Sequence, residues 1–210
     1  MSSEIFRDIL DQKRKEILPF FNNFNGDFYL AGGTALALQF GHRDSIDFDF
    51  FTDKSFSTSE LYKMIEVIFV NHKILKIQDE KDTLTVLIDD SIKISFFTFL
   101  YKLVRPLIKT EYFDMASIED IGCMKLSAVT SRSQEKDYVD LYFILQKITL
   151  SDLLDLNKEK FPSLDANLVL KSLVYFDDII SEPIIFKHNH ETDFELIKDF
   201  LNNTVKSYLS

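Results

Sequence analysis

The sequence predicts an α+β fold in which a mixed β-sheet flanked by helices is followed by a C-terminal helical bundle. Residues 27–40 have the pattern of a strand, a glycine turn and a helix. About five strand-like segments precede residue 115, whereas apolar residues recur at helical spacing after it. We therefore divide the chain into an α/β core at 1–115 and a helical region at 116–210.

The first elements follow from apolar spacing and from glycine. Residues 4–22 place Ile, Leu and Phe at helical spacing among charged side chains, which predicts an amphipathic helix that ends at NNFNGD. The short apolar run DFYLA (27–31) predicts a buried strand, and Gly32–Gly33 predicts a tight turn. TALALQF (34–40) consists mostly of strong helix formers, so we expect a helix there.

The remaining elements alternate between strands and helices until residue 115. IDFDFF (46–51) has the period-two alternation of a strand, and a helix is predicted at 57–70 with Ser57, Thr58 or Ser59 as its N-cap. Three further strands are predicted at 74–78, 83–88 and 91–99, with Asp89–Asp90 as a hairpin turn between the last two. Helices are then predicted over IEDIGCMKLSAVTSR and EKDYVDLYFILQK, and around 151–158, 165–180 and 192–208.

Composition and charge limit the classes of function. The net charge of -10 argues against a general electrostatic grip on nucleic acid, although a local basic site remains compatible with it. The 21 Phe residues recur beside Ile and Leu, which indicates core packing. Cys123 is the only cysteine, so no intrachain disulfide can form, and no apolar run approaches the ~18 residues of a membrane span. We expect a cytoplasmic protein that does not contact a membrane.

Two carboxylates in the strand at 46–51 predict a metal site. Asp47 and Asp49 are two residues apart, so their side chains point to the same face of the strand. The other face should enter the core through Ile46, Phe48 and Phe50. Two like charges at this distance repel each other, and a divalent cation such as Mg²⁺ or Mn²⁺ compensates them.

The glycine pair predicts a phosphate site beside the metal. Gly32 and Gly33 open a helix, where backbone N–H groups and the positive end of the helix dipole attract a phosphate, and Thr34 adds a hydroxyl. A glycine pair alone is usually a turn, and a pair of strand aspartates is usually solvated. Their joint spacing is more specific and predicts a site for a metal-bound nucleoside triphosphate (NTP).

The stretch GGTALALQ…HRDSIDFDFF resembles the signature of the nucleotidyltransferase (DNA polymerase β-like) superfamily. Together with KLSAVTSRSQEKDYVDLYFIL, it is similar to the AbiEii/AbiGii branch of nucleotidyltransferase-type toxins. The resemblance covers roughly 28–51 and 117–145 and implies a nucleotidyltransferase-type sheet whose active-site cleft the helical region completes. It also implies transfer of a nucleoside monophosphate (NMP) from an NTP to an acceptor, with release of pyrophosphate. An RNA end, with tRNA as one candidate, and a cognate antitoxin are the partners implied. A protein side chain or a small molecule is the alternative acceptor.

The second block of the resemblance supplies further candidate residues. Lys125 and Arg132 are seven apart, which a continuous helix would place on one face, and Asp137 and Asp140 are three apart on the next helix. The resemblance implies that Lys125 holds the NTP phosphates and that Asp137 or Asp140 assists the site. The alternative is that these residues form ordinary ion pairs between neighbouring helices, worth about 0–1 kcal/mol.

One position departs from the superfamily pattern and leaves a second function open. The resemblance implies a third carboxylate on a later strand, and the corresponding position here is Ser95. Without that acid a second metal is held less well. Three alternatives follow: Asp137 or Asp140 substitutes for it, the enzyme works with one well-bound ion, or the fold is catalytically degenerate and binds a nucleotide or a protein as a regulatory module.

Two residues of the loop before the aspartates have open roles. Arg43 is a candidate for binding the triphosphate, or else for a structural pair with Asp44 or Asp53. We expect His42 to be a solvated loop residue.

Overall fold

A mixed seven-stranded β-sheet runs through the centre of the protein in residues 5–210, the part of the chain that the computed structural model describes. The strand order is β3-β4-β5-β2-β1-β7-β6. Strand β2 pairs antiparallel with β1 and parallel with β5, so the sheet combines both directions. The strands are β1 (Tyr29–Ala31), β2 (Phe48–Thr52), β3 (Ile74–Glu80), β4 (Thr83–Ile88), β5 (Ile92–Thr98), β6 (Ile108–Lys109) and β7 (Asp114–Met115).

Eight α-helices flank this sheet in the described range, and five of them follow it in the chain. They are α1 (Gln12–Ile17), α2 (Gly32–Phe40), α3 (Thr58–Ile68), α4 (Ile118–Val129), α5 (Glu135–Leu145), α6 (Leu150–Lys160), α7 (Ala166–Leu173) and α8 (Phe194–Leu209). The predicted α+β class, with a mixed sheet flanked by helices, is confirmed. The division at 115/116 falls between β7 and α4 and stays a prediction.

The β4–β5 hairpin and the cap of α3 form as their local sequences predict. Asp89 and Asp90 have φ angles of 50° and 55°, the left-handed conformation common in tight hairpin turns, and Ile88 pairs with Ile92 across the turn. Ser57 is the N-cap of α3, because its side chain accepts a hydrogen bond from the amide of Glu60.

The single opening helix predicted at 4–22 is wrong. From residue 5 onward the structure has a short 3₁₀ helix (Arg7–Ile9), helix α1 and a second 3₁₀ helix (Leu18–Phe24), and residue 4 lies outside the described range. Asp11 caps α1 by accepting from the amide of Arg14, which starts a new helix inside the predicted one. Pro19 has no N–H to continue the α-helical ladder, so the chain tightens into the 3₁₀ helix that follows.

Phenylalanines of β2 and of the 3₁₀ helix Leu18–Phe24 pack in the core on one face of the sheet, as predicted. Phe48 and Phe50 of β2 are fully buried, and the ring of Phe21 lies 4.8 and 5.0 Å from theirs. Ile46 does not join them, because it precedes the first strand residue and is 57% exposed. The opposite face of β2 is therefore free to carry polar side chains.

Helix α7 is shorter than the predicted helix at 165–180, and an irregular segment follows it. This segment, the strap at 174–193, crosses back to the loop after α2. The amide of Asp44 donates to the carbonyl of Ile185 at 2.9 Å, and that of Lys187 donates to the carbonyl of His42 at 3.0 Å. The strap thereby holds the loop that leads into β2.

Within residues 5–210, no helix combines the length and the apolar character needed to cross a membrane.

Candidate active site

The two predicted metal-binding carboxylates lie beside the start of α2. Asp49 is the second residue of β2, and Asp47 directly precedes the strand, so the two share a face. A Cβ added to Gly32 would lie 3.3 Å from Oδ2 of Asp49, and Gly32 has a φ of +72°, which side chains rarely adopt. Glycine at position 32 therefore lets the helix start approach the carboxylates.

The electrostatics of Asp49 show that the two acids interact. Burial and the neighbouring charge of Asp47 raise the pKa of Asp49, while Lys93, Lys125 and a hydrogen bond with Ser95 oppose the rise. A raised pKa means that the folded protein disfavours the ionised form of Asp49, and a nearby cation would relieve this cost.

Strand β5 supplies two side chains to the same surface. Ser95 is the register partner of Asp49 and is only 3% exposed, so the position of the third carboxylate is indeed adjacent to the pair. The ammonium of Lys93 lies 2.6 Å from Oδ2 of Asp47. The sequence analysis missed Lys93, although its position two residues before Ser95 on one strand places it on the same face.

The donor set fits one divalent ion better than two. Asp47 and Asp49 provide two carboxylates, and within the described part of the chain no three His, Cys, Asp or Glu side chains come together as a metal site. Mg²⁺ is commonly bound by one or two carboxylates, with water and substrate phosphates as its remaining ligands. The raised pKa of Asp49 indicates a site that favours added positive charge, part of which Lys93 already supplies at Asp47.

Thr34 and Gly33 have structural contacts at the start of α2. The Thr34 hydroxyl lies 2.7 Å from Oγ of Ser45 and also donates to the carbonyl of Asp47, so it ties the loop to the helix. A Cβ on Gly33 would lie 2.6 Å from Nη2 of Arg43, which shows that the guanidinium packs directly on this glycine. Contacts of Gly32, Gly33 and Thr34 with a phosphate stay predictions.

Asp140 of α5 is the centre of a buried charge cluster. Arg43 donates to both of its oxygens at 2.8 Å, and the ammonium of Lys125 lies 2.6 Å from Oδ2. Burial alone would raise the pKa of Asp140, but the charges of Arg43 and Lys125 outweigh it and hold the pKa well below its usual value. Arg43 therefore pairs with Asp140, and neither of its two predicted acidic partners forms this ion pair.

Asp137 extends the cluster by one turn of α5. Lys125 also donates to its Oδ1 at 2.6 Å, and Arg132 donates from Nε to its Oδ2 at 2.8 Å. All four oxygens of Asp137 and Asp140 thus accept from cationic or histidine side chains. These two acids orient cations, so neither replaces the third carboxylate beside Asp49.

The helical relation predicted for Lys125 and Arg132 is wrong. Helix α4 ends at Val129, and Arg132 lies in the turn before α5. The turn folds back so that both cations nonetheless reach Asp137. The side chain of Arg132 is half-exposed, whereas that of Lys125 is nearly buried. Arg132 is therefore the more accessible cation of the two.

The prediction for His42 is also wrong, because the side chain is fully buried. Its Nε2 lies 2.9 Å from Oδ1 of Asp140, and its Nδ1 has no hydrogen-bond partner within residues 5–210. Burial lowers the pKa of His42, which favours the neutral ring with its proton on Nε2. His42 supports Asp140 and does not face solvent.

These groups surround one large cleft. It has a volume of about 1390 Å³ and lies between the polar face of the sheet and helix α4. The carboxylates, the glycine turn, Lys93 and Ser95 line one side, and Lys125 and Arg132 line the other. The structure therefore brings nearly all predicted site residues to one cavity. Asp137 and Asp140 do not line it, and lie behind Lys125 and Arg132, which we call the cationic wall.

Comparisons with known proteins identify the family and the fold of the chain. The family described as "Nucleotidyl transferase AbiEii toxin, Type IV TA system" matches residues 20–206. An uncharacterised protein of Aquifex aeolicus (strain VF5) is 38% identical over 189 residues, which cover 87% of this chain and 88% of the relative.

Two solved structures share the fold. JHP933 from Helicobacter pylori has a TM-score of 0.60 at 21% identity, over 99% of this chain and 93% of that one. MenT4, a nucleotidyltransferase toxin from Mycobacterium tuberculosis H37Rv, has a TM-score of 0.64 at 12% identity, over 92% and 80%. With the carboxylate pair, the glycine turn and the family match together, this chain belongs to the AbiEii nucleotidyltransferase toxin family.

Proposed function

We propose that the protein is a divalent-metal-dependent nucleotidyltransferase that moves an NMP from an NTP to an RNA end, with tRNA as one candidate acceptor. The observation that carries the proposal is the close approach of Asp49 to Gly32, the glycine that opens α2, with Asp47 on the same face. This proximity supports a cation site next to a phosphate site, because carboxylates favour Mg²⁺ and helix N-termini favour phosphate. A toxin–antitoxin family also implies a cognate antitoxin, and the NTP and RNA substrates suit the cytoplasm.

In this proposal some residues of the cleft bind the metal ion and others bind the triphosphate. Asp47 and Asp49 would bind Mg²⁺ or Mn²⁺, which when bound neutralises charge on the phosphoryl oxygens. Backbone amides at Gly32 and Gly33 would receive the triphosphate at the positive end of α2. Lys125 has three N–H donors, of which Asp137 and Asp140 take two, so the third can donate to a phosphate oxygen.

The chemical step needs positioning more than covalent help from the protein. The acceptor hydroxyl attacks the α-phosphorus, the bond to the bridging oxygen of the β-phosphate breaks, and pyrophosphate leaves. Arg132 and Lys125 place positive charge near the oxygens on which negative charge accumulates. Arg43, Asp137 and Asp140 are positioning residues, because they hold Gly33, Lys125 and Arg132 in place.

Incorporation of label from each α-³²P-NTP into total RNA, tRNA or protein tests the proposal. With Mg²⁺ present, we expect the wild-type protein to label an RNA fraction and to release pyrophosphate. Label in protein alone would contradict the RNA acceptor, and binding of NTP without any incorporation would contradict transfer.

A second candidate is the regulatory module that binds a nucleotide or a protein without catalysis. Ser95 in the position of the third carboxylate favours it, because this leaves two acids for the metal. The same labelling experiment separates the two functions, since the module binds NTP and transfers nothing.

Lys93→Met is expected to tighten binding of a divalent ion about two- to fivefold. The Lys93 ammonium competes for Asp47, and an ion pair of this exposure is worth about 0.5–1 kcal/mol. Mn²⁺ titration followed by electron paramagnetic resonance measures the affinity directly. Lys73→Met removes a comparable pair with Asp90 outside the cleft lining and should leave the affinity unchanged. Equal or weaker Mn²⁺ binding by Lys93→Met would show that the two cations do not compete.

A further inference from the structure

The floor of the cleft changes from charged to aromatic along two neighbouring strands. On β2, Phe51 continues the face that carries Asp47 and Asp49. On β5, Phe97 continues the face of Lys93 and Ser95, and the register pairs it with Phe51. The charged and aromatic ends are thus parts of one surface.

The aromatic end is a connected group of rings that is only partly covered. The ring centroid of Phe51 lies 5.4 Å from that of Phe97 and 5.7 Å from that of Phe99. All three side chains line the cleft and are half-buried, although their neighbours on the opposite face of the sheet are fully buried. We call Phe51, Phe97 and Phe99 the aromatic floor.

Helix α4 contributes apolar side chains to the lining of the same cleft. Ile121 and Met124 line the cavity together with the aromatic floor. A flat ring entering the cleft could stack on the aromatic faces, and the partly exposed Met124 adds a thioether group to the same apolar lining. No charged group is needed to hold such a ring.

We infer that the aromatic floor binds a nucleobase by stacking, so that the cleft holds a whole nucleotide with its phosphates at the charged end. The inference rests on the proposed nucleotide-transfer function. Phe51 follows Asp49 by two strand residues, or about 7 Å, a reach that a ribose can bridge. The base belongs either to the NTP or to the terminal nucleotide of the RNA acceptor, because both must meet at the carboxylates.

Phe97→Leu tests the inference, since it removes the ring and keeps an apolar side chain. Calorimetric titration with an NTP, with inorganic tripolyphosphate and with a short single-stranded RNA measures the three affinities separately. We expect about fivefold weaker binding or more for one base-containing ligand, the lower end of what loss of one stacking ring causes. Tripolyphosphate has no base, and its affinity should not change.

The three ligands distinguish the source of the base. Weaker NTP binding with unchanged tripolyphosphate binding assigns the floor to the base of the NTP. Unchanged NTP binding with weaker RNA binding assigns it to the acceptor.

Two outcomes would overturn the inference. Wild-type affinity of Phe97→Leu for all three ligands excludes stacking, and an equal loss for tripolyphosphate shows a general disturbance of the cleft. Phe200→Leu is the matched control, because Phe200 is a partly buried phenylalanine of α8 outside the cleft lining. Phe51→Leu repeats the test if Phe97→Leu does not fold.

The labelling experiment distinguishes failure of this inference from failure of the proposed function. Transfer by the wild type, together with unchanged affinities in Phe97→Leu, overturns base stacking alone. Weaker NTP binding in the variant, without transfer by the wild type, overturns the transferase activity and leaves the base site in place.

Discussion

Asp49→Asn is expected to reduce nucleotide transfer by about 10³-fold or more while leaving the protein as stable as the wild type or slightly more so. Asp49 is one of two carboxylates in the proposed metal site, and Ser95 beside it cannot replace the lost charge. Removing a single preorganised group that stabilises transition-state charge commonly costs about 10²–10³-fold, and here the metal itself would be bound more weakly. Initial rates of label incorporation measure the effect.

The stability of Asp49→Asn should stay the same or rise, although its activity falls. The pKa of Asp49 is raised in the folded protein, so near pH 7 its ionised form is held at a cost that the unfolded chain does not have. Asparagine removes that charge and keeps the shape of the side chain. Urea denaturation should therefore show an unchanged or higher midpoint. Parallel loss of activity and stability would instead mean that Asp49 acts through the fold.

Asp53→Asn is the control for the first prediction. Asp53 is exposed in the loop that follows β2 and does not line the cleft. Transfer and stability should both stay close to the wild type, because surface substitutions away from special contacts change stability by about 0.5 kcal/mol or less.

Asp140→Asn is expected to destabilise the fold by about 3–5 kcal/mol, the usual cost of leaving a buried charge without its partner. The side chains of Asp140, Arg43 and Lys125 are all nearly or fully inaccessible, and Asp140 binds both cations. Asparagine keeps the size of the side chain but removes the charge, so Arg43 would remain buried without its ion-pair partner. Equilibrium unfolding in urea, monitored by circular dichroism, measures the change in the free energy of unfolding.

Asp155→Asn provides the matched comparison for Asp140→Asn. Asp155 lies on the exposed face of α6, so its substitution should change the unfolding free energy by about 0.5 kcal/mol or less. A loss below about 1 kcal/mol in Asp140→Asn would contradict the role of this carboxylate as the anchor of the cationic wall.

Elements set by residues close together in the chain were predicted from the sequence. The carboxylate pair shares a face because strand side chains alternate with period two, and the turn at Asp89–Asp90 needs only its own backbone angles. The cap of α3 is equally local, since Ser57 bonds to an amide three residues away. The family signature has the same basis, because glycine turn and aspartates fall within one short stretch.

Elements that depend on distant residues were missed or misassigned. Arg43 and Asp140 are 97 residues apart, and nothing near His42 in the chain shows that it is buried against the same acid. Strands β6 and β7 have two residues each, too few for an alternating pattern. The aromatic floor likewise becomes visible only when β2 and β5 are paired.

The sequence by itself determined the fold class, the carboxylate pair and the glycine turn, because strand periodicity and the conformational freedom of glycine act over a few residues. The tertiary structure alone decided that Lys93 pairs with Asp47 and that Asp137 and Asp140 pair with cationic side chains. The physical reason is that burial and ion pairing depend on which side chains, distant in the chain, meet in the low-dielectric interior. Spacing between neighbouring residues in the sequence does not reveal those contacts.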